Sequence, residues 1–288
     1  EERAAALFVG SWIASERGER DRERVMLDEV LPDAERLGGL LLARVLGGLS
    51  VCAIGRGDVH AASTYAERVR ELAEQLQHPL AARESLALLG AVAIMRDDIQ
   101  ESLRYAAEAL ALAVGTGDLE GQALAHSNLG VGRHLLGDAG GSQDEYDAAL
   151  HHYGAARTLE QRLGRRLQSG MSAANMAQVQ IRRGEDPEAQ QLLLEALTVV
   201  RQSGGTATLL FCVMVEADRQ LVNGDPTTAL ELIGVVQRHP AVTNTNEAEI
   251  ARILHRSGLP ADVIEQGLAR GARRDFDAVV DQLARELA

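Results

Sequence analysis

Lysine is absent from this chain: all 29 basic residues are Arg, set against 42 acids for a formal charge of −13. GC-rich codon usage accounts for that bias without any mechanism. Without Lys there is no Gly-x-x-x-x-Gly-Lys loop to cradle a nucleotide. An acidic surface repels phosphate backbones, so direct nucleic-acid binding is not expected. The two cysteines, Cys52 and Cys212, cannot build a disulfide framework or a zinc site alone. They read as small buried hydrophobes in a reducing compartment. Aromatics make up 3% of residues, so no aromatic cage announces a ligand class. No apolar run approaches the roughly 18 residues of a membrane helix, and the opening Glu-Glu-Arg lacks a signal-peptide layout. The expectation is a soluble, cytoplasmic protein with no membrane partner. The first residue is not Met, which reads as a piece of a longer or processed protein.

Familiar catalytic patterns are missing too. There is no Gly-x-Ser-x-Gly elbow and no His-Glu-x-x-His helix. His151 and His152 are adjacent, so on a helix they point about 100° apart and cannot chelate as an i,i+4 pair. Carboxylates follow the turns and outer faces, as a solvated surface requires. Arg56-Gly57-Asp58 spells an adhesion tripeptide, but its last two residues belong to a recurring turn. No catalytic residue, metal site or cofactor is expected.

What the chain does have is repetition. A Gly-Asp-like pair recurs at Gly57-Asp58, Asp97-Asp98, Gly137-Asp138, Gly184-Glu185 and Gly224-Asp225, in steps of 40, 40, 47 and 40 residues. Five residues after each pair begins comes a small residue: Ala62, Ser102, Ser142, Ala189, Ala229. Nine residues after come Ala66, Ala106, Tyr146, Leu193 and Ile233, and twelve after come Val69, Ala109, Ala149, Ala196 and Val236. A fixed period of this length marks a repeat array.

Each period reads as two helices. In the second, apolar Leu86, Leu89, Ala93 and Ile94 fall at helical spacing over 82–95 (helix A). Arg96-Asp97-Asp98 makes the turn, and helix B follows over 99–114. The turn needs a residue tolerant of positive φ, and the Asp after it can cap helix B. Gly115-Thr116-Gly117-Asp118, Gly164 and Gly204-Gly205 close helix B in the same way. A degenerate first repeat is expected, with helix A over 4–14, a turn at Gly18-Glu19 and helix B over 21–37 that Pro32 kinks or ends early. The seven extra residues of the long step are expected in a longer helix B over 142–163, with matching growth in the next helix A. After residue 243, segments 247–255, 261–268 and 276–287 read as three short helices.

These features resemble the tetratricopeptide repeat (TPR), a helix-turn-helix unit of about 34 residues. Asn128-Leu129-Gly130, Gly137-Asp138, Tyr146 and Ala149 fall at that family's spacings, and Leu89-Gly90 repeats the Leu-Gly pair. The period is longer here, the family's early Trp is missing, and the closing Pro is absent except near Pro79. The ending Gly271-Ala272-Arg273-Arg274-Asp275-Phe276 resembles the C-terminal region of the STAND class of bacterial signalling ATPases. Any ATP site of such a parent lies outside this chain.

The resemblance implies an all-α, right-handed TPR-like superhelical solenoid of about six helix pairs over 1–240, closed by capping helices over 241–288. It also implies a peptide groove on the concave wall of A helices. In the family the Asn before Leu-Gly bonds a ligand's backbone. Asn128 and Asn175 hold that position, with His134, Gln178, Arg182 and Asp218 as neighbouring groove residues. The Asn pair reads equally as bonds within the stack.

Arg157, Arg162, Arg165, Arg166, Arg182 and Arg183 face one acid, Glu160, across 157–183. Arg suits bidentate recognition of carboxylate or phosphate, which points to an acidic peptide or anionic partner surface. Pairing with acids of adjacent helices is the other reading. Two functions follow: the sensor or assembly arm of a STAND-like regulator, or a free-standing receptor for a short signalling peptide. Ala-rich end repeats also permit a homo-oligomer.

Overall fold

The computed structural model describes residues 2–16 and 19–288. The described residues form fifteen helices and no strand. They are α1 (Glu2–Glu16), α2 (Arg20–Leu37), α3 (Gly39–Gly55), α4 (Val59–Leu76), α5 (Pro79–Met95), α6 (Ile99–Gly115), α7 (Leu119–Gly140) and α8 (Gln143–Arg162). There follow α9 (Arg166–Arg183), α10 (Asp186–Ser203), α11 (Thr206–Val222), α12 (Pro226–Gln237), α13 (Asn244–Ser257), α14 (Ala261–Gly271) and α15 (Phe276–Glu286). Two compact units, Glu1–Gly141 and Ser142–Ala288, divide the chain. Within the first unit α1 to α7, and within the second α8 to α12, each pack against the next helix, the tandem helix-pair arrangement of a TPR-like solenoid.

The turn chemistry explains the helix boundaries. Gly57, Gly184 and Gly224 take φ of 71°, 78° and 82°, and Asp97 takes the same left-handed region at 61°. Asp is one of the few side chains that tolerates it. Asp58, Asp98 and Asp225 then cap α4, α6 and α12, each accepting a backbone N–H three residues on at 3.0 Å. The small residues behind the turns, Ala62, Ser102, Ala189 and Ala229, are buried where neighbouring helices meet.

The Gly137-Asp138 pair departs from this pattern. It lies inside α7, which runs to Gly140. The turn falls instead at Gly141, φ 64°, and Ser142 caps α8. Gly140-Gly141-Ser142 is a stronger stop than Gly137-Asp138, and Asp138 sits one turn beyond His134, 3.7 Å from its Nε2, within a continuing helix. Measured between positive-φ turns, Asp97 to Gly141 is 44 residues and Gly141 to Gly184 is 43. The extra length is therefore shared between α7 and α8. The next helix A, α9, has 18 residues against the 17 of α5, so the growth expected there is missing.

Of the first repeat, α1 and α2 are present, while Gly18 of its turn lies outside the described residues. Pro32 neither ends nor shortens α2, which continues to Leu37. Pro32 is on the exposed side, where the carbonyl it leaves without a helical donor can face water.

The first unit's main core gathers Leu27, Val30, Leu46, Leu49, Val69 and Leu89 from α2 to α5. The second unit's core runs from Ala173 and Leu193 through Met214 and Ile233 to Ile250 and Leu283. Here α14 seats directly on α12. A Cβ on Gly271 would lie 2.0 Å from the Glu231 carbonyl oxygen, and one on Gly234 2.3 Å from that of Leu268. Backbone meets backbone, which only glycine allows. The α15 helix turns back to α10, where Arg201 pairs with Asp281 and Gln190 Nε2 donates to the Leu287 carbonyl at 3.2 Å.

Candidate functional site

The A-helix side of the second unit is built by α9 and α11. Gln178 and Arg182 are one turn apart on α9 and so share a face. Asp218 on α11 joins them: Arg182 donates to its carboxylate. The side chains of Arg182 and Asp218 are 10% and 4% exposed, so this pair is a buried clasp between two A helices.

A third helix completes the cluster. The α13 helix packs on α11 and reaches α9. Gln178 Nε2 donates to Glu249 Oε1 at 2.8 Å. Arg256 Nη2 donates to Asp218 Oδ2 at 3.2 Å, the oxygen that Arg182 also uses. Ile250 and Ile253, both 1% exposed, enter the unit's core between these polar contacts. Three of the groove positions expected from sequence, Gln178, Arg182 and Asp218, therefore come together, beneath a helix of the same chain.

The other expected groove residues behave differently. Asn128 on α7 and Asn175 on α9 are half-buried. Neither side-chain amide makes a hydrogen bond to another described residue. His134 is buried on α7 beside Asp138. Asn128 and His134 belong to the first unit and the remaining groove residues to the second.

The arginine cluster is largely spoken for. Arg157 on α8 pairs with Glu195 on α10, and Arg183 with Asp147 at 3.2 Å. Arg166 donates to Gln202. Arg162 and Arg165 are at the α8–α9 corner, with Arg162 exposed. Glu160, the lone acid of that segment, turns inward: it is 5% exposed and accepts the Ser172 hydroxyl at 2.8 Å. Burial pushes its carboxyl above the ordinary value, and the Ser172 bond only partly offsets this. Burial likewise pushes the Cys212 thiol up to about 12, which leaves it protonated and inert.

One polar cluster had no sequence signal strong enough to single it out. Glu216, 1% exposed on α11, receives two bonds from Arg219, at 2.8 and 2.9 Å. Arg219 Nη1 also reaches Asp186 at the start of α10 at 3.0 Å, and Asn223 donates to the same Asp186 oxygen at 2.8 Å. Partial burial acts to raise the Asp186 pKa, but the bonds from Asn223 and Arg219 prevail and hold it below the usual carboxylate range. The i,i+3 spacing of Glu216 and Arg219, after the apolar run Leu209–Val215 of α11, is the hint that was available.

Among the described residues no group of three or more His, Cys, Asp or Glu is arranged to hold a metal ion. No described helix is long and apolar enough to cross a membrane.

This geometry defines a class: an all-α helical-repeat protein of the TPR-like solenoid type, with its polar cluster on the A-helix side. Solved structures share the fold. RapI in its apo form superposes with a TM-score of 0.63 at 11% identity, covering 98% of this chain and 99% of that one. PH0952 from Pyrococcus horikoshii, a signal transduction ATPase with numerous domains (STAND) protein with a tetratricopeptide repeat sensor, gives 0.55 at 14% identity. That match covers 99% of this chain but 44% of the larger protein. BtubC (BKLC) from P. vanneervenii gives 0.53 at 15% identity, over 82% and 90% of the two chains. No known family's sequence profile matches, and no curated protein sequence does.

Proposed function

We propose that this chain is a non-catalytic protein- or peptide-interaction domain, the sensor or assembly arm of a STAND-like signalling regulator. The observation that carries this reading is the contrast on the A helices. Gln178, Arg182 and Asp218 are engaged within the chain, whereas the amides of Asn128 and Asn175 have no partner among the described residues. A half-buried amide with an idle donor and acceptor suits a peptide unit, which offers one of each. Exposed Arg162 supports an acidic ligand. In this reading 1–240 form the binding array and 241–288 its cap, in a cytoplasmic protein able to associate with a second copy.

A second reading, a free-standing receptor for a short peptide, draws on the likeness to RapI, which spans nearly all of both chains. The reading frame of the native transcript separates the two. A nucleotide-binding domain ahead of Glu1 favours the regulator, and a start codon close to it favours the receptor.

The binding test is a selection of short random peptides against the protein, with affinities by fluorescence anisotropy. Asn128→Ala and Asn175→Ala should each weaken the selected peptides by about 2–10-fold, the worth of one hydrogen bond. Peptides indifferent to both changes would sink the proposal.

A further inference from the structure

In a helix-pair array, the helix after each B helix stacks against it as the next A helix, as α5 does on α4 and α9 does on α8. By that rule α13 belongs against α12. It is α14 that takes this seat, through the backbone contacts of Gly234 and Gly271. The α13 helix is displaced onto the wall made by α9 and α11. Its connections are built to allow this. Segment 238–243 contains Pro240, and α13 ends at Gly258, φ 62°, just before Pro260.

The contacts of α13 are those of a bound helix. Glu249, Ile250, Ile253 and Arg256 lie along one stripe, at i, i+1, i+4 and i+7. The two Ile side chains are buried, and the polar residues at either end meet Gln178 and Asp218. The opposite face, including Glu247, Ala251 and His255, is exposed. Its N-terminus is fixed independently of the wall by a Thr243–Asn246 capping box, so the helix can persist when it leaves.

We propose that the α9/α11 wall is a helix-binding site and that α13 is its built-in occupant. The partner is an amphipathic helix carrying the same stripe: an acid, two aliphatics at one and four residues on, and a base at seven. Gln178 offers the donor for its acid, and Asp218, already held by Arg182, the acceptor for its base. Such a helix binds only by displacing α13, so affinity is reduced by the fraction of molecules with α13 seated. The inference rests on the interaction-domain reading for its purpose, but its geometry stands on α13 alone.

The test uses the full chain and a synthetic peptide spanning residues 243–258. Amide hydrogen exchange is followed with and without excess peptide. The expected result is that peptide speeds exchange of the resident α13 by about tenfold while α9 and α11 stay protected. A control peptide carrying Ser at the positions of Ile250 and Ile253 should do nothing. If α13 exchanges no faster than α11 and ignores the peptide, it is integral core and the proposal is overturned.

Glu249→Arg, which removes the acceptor used by Gln178, should raise affinity for the labelled peptide about tenfold by freeing the wall. Unchanged affinity overturns the proposal as well. Should that variant not fold, exchange in the unaltered chain decides. The Asn128→Ala and Asn175→Ala measurements keep the two ideas apart. A rigid α13 alongside Asn-dependent peptide binding sinks only the helix-binding wall. A displaceable α13 with Asn-independent binding sinks only the role given to Asn128 and Asn175.

Discussion

Ser172 on α9 donates its hydroxyl to Glu160 on α8 at 2.8 Å, and among the described residues it is the one hydrogen-bond partner of a carboxyl that is 5% exposed. The folded pKa of Glu160 lies above the ordinary 4.5 because burial penalises the charge. A raised folded pKa stabilises the fold below the unfolded value and loses that contribution as pH rises through the folded one. Glu160→Gln removes the charge and keeps an oxygen for Ser172. It should raise the melting temperature by about 1–4 °C near pH 7. The gain should shrink toward pH 4.5, the ordinary value of the group. Thermal scans across that range check it; a gain independent of pH would contradict the burial argument.

Glycines in this chain serve opposite ends, and substitution separates them. Gly154 lies within α8 on an ordinary helical backbone, and a Cβ added there would meet nothing within 4 Å. Gly154→Ala should stabilise by about 0.5–1 kcal/mol through helix propensity. Gly271→Ala meets the Glu231 carbonyl oxygen at 2.0 Å and should destabilise by about 1–3 kcal/mol. Urea unfolding of both variants reads the two signs directly.

The Glu216–Arg219–Asp186 cluster predicts strong non-additivity. Glu216→Ala leaves the Arg219 guanidinium largely buried without its principal partner and should cost about 3–5 kcal/mol. Replacing both by apolar residues, Glu216→Leu with Arg219→Met, should cost far less than the single change. A double variant no better than Glu216→Ala would show that the cluster's worth lies in shape rather than charge.

Local chemistry is legible in the sequence wherever it decides the structure. Gly57-Asp58 and Asp97-Asp98 announce their turns because positive φ and capping are properties of two or three adjacent residues. The start of α14 after Pro260 is readable for the same reason. Gly137-Asp138 misleads because it carries the right letters one helical turn too early, and the stronger stop at Gly140-Gly141-Ser142 wins. Pro32 reads as a kink or an early end; α2 runs on to Leu37, because at an exposed position the lost hydrogen bond is cheap. Of the candidate site, the sequence reading names Gln178, Arg182 and Asp218 but not Glu249 or Arg256, which engage them. Gln178 and Glu249 are 71 positions apart, and no local pattern announces their meeting.

The seating of α14 on α12 has a consequence for assembly. Arrays of this kind lengthen when one chain's terminal B helix receives another chain's first helix, and filaments grow from such open ends. Here the chain plugs its own receptor. With the peptide backbones at Gly234 and Gly271 in direct touch, an incoming helix finds no vacancy on α12. A helix that docked on α12 from another chain would first have to unseat α14.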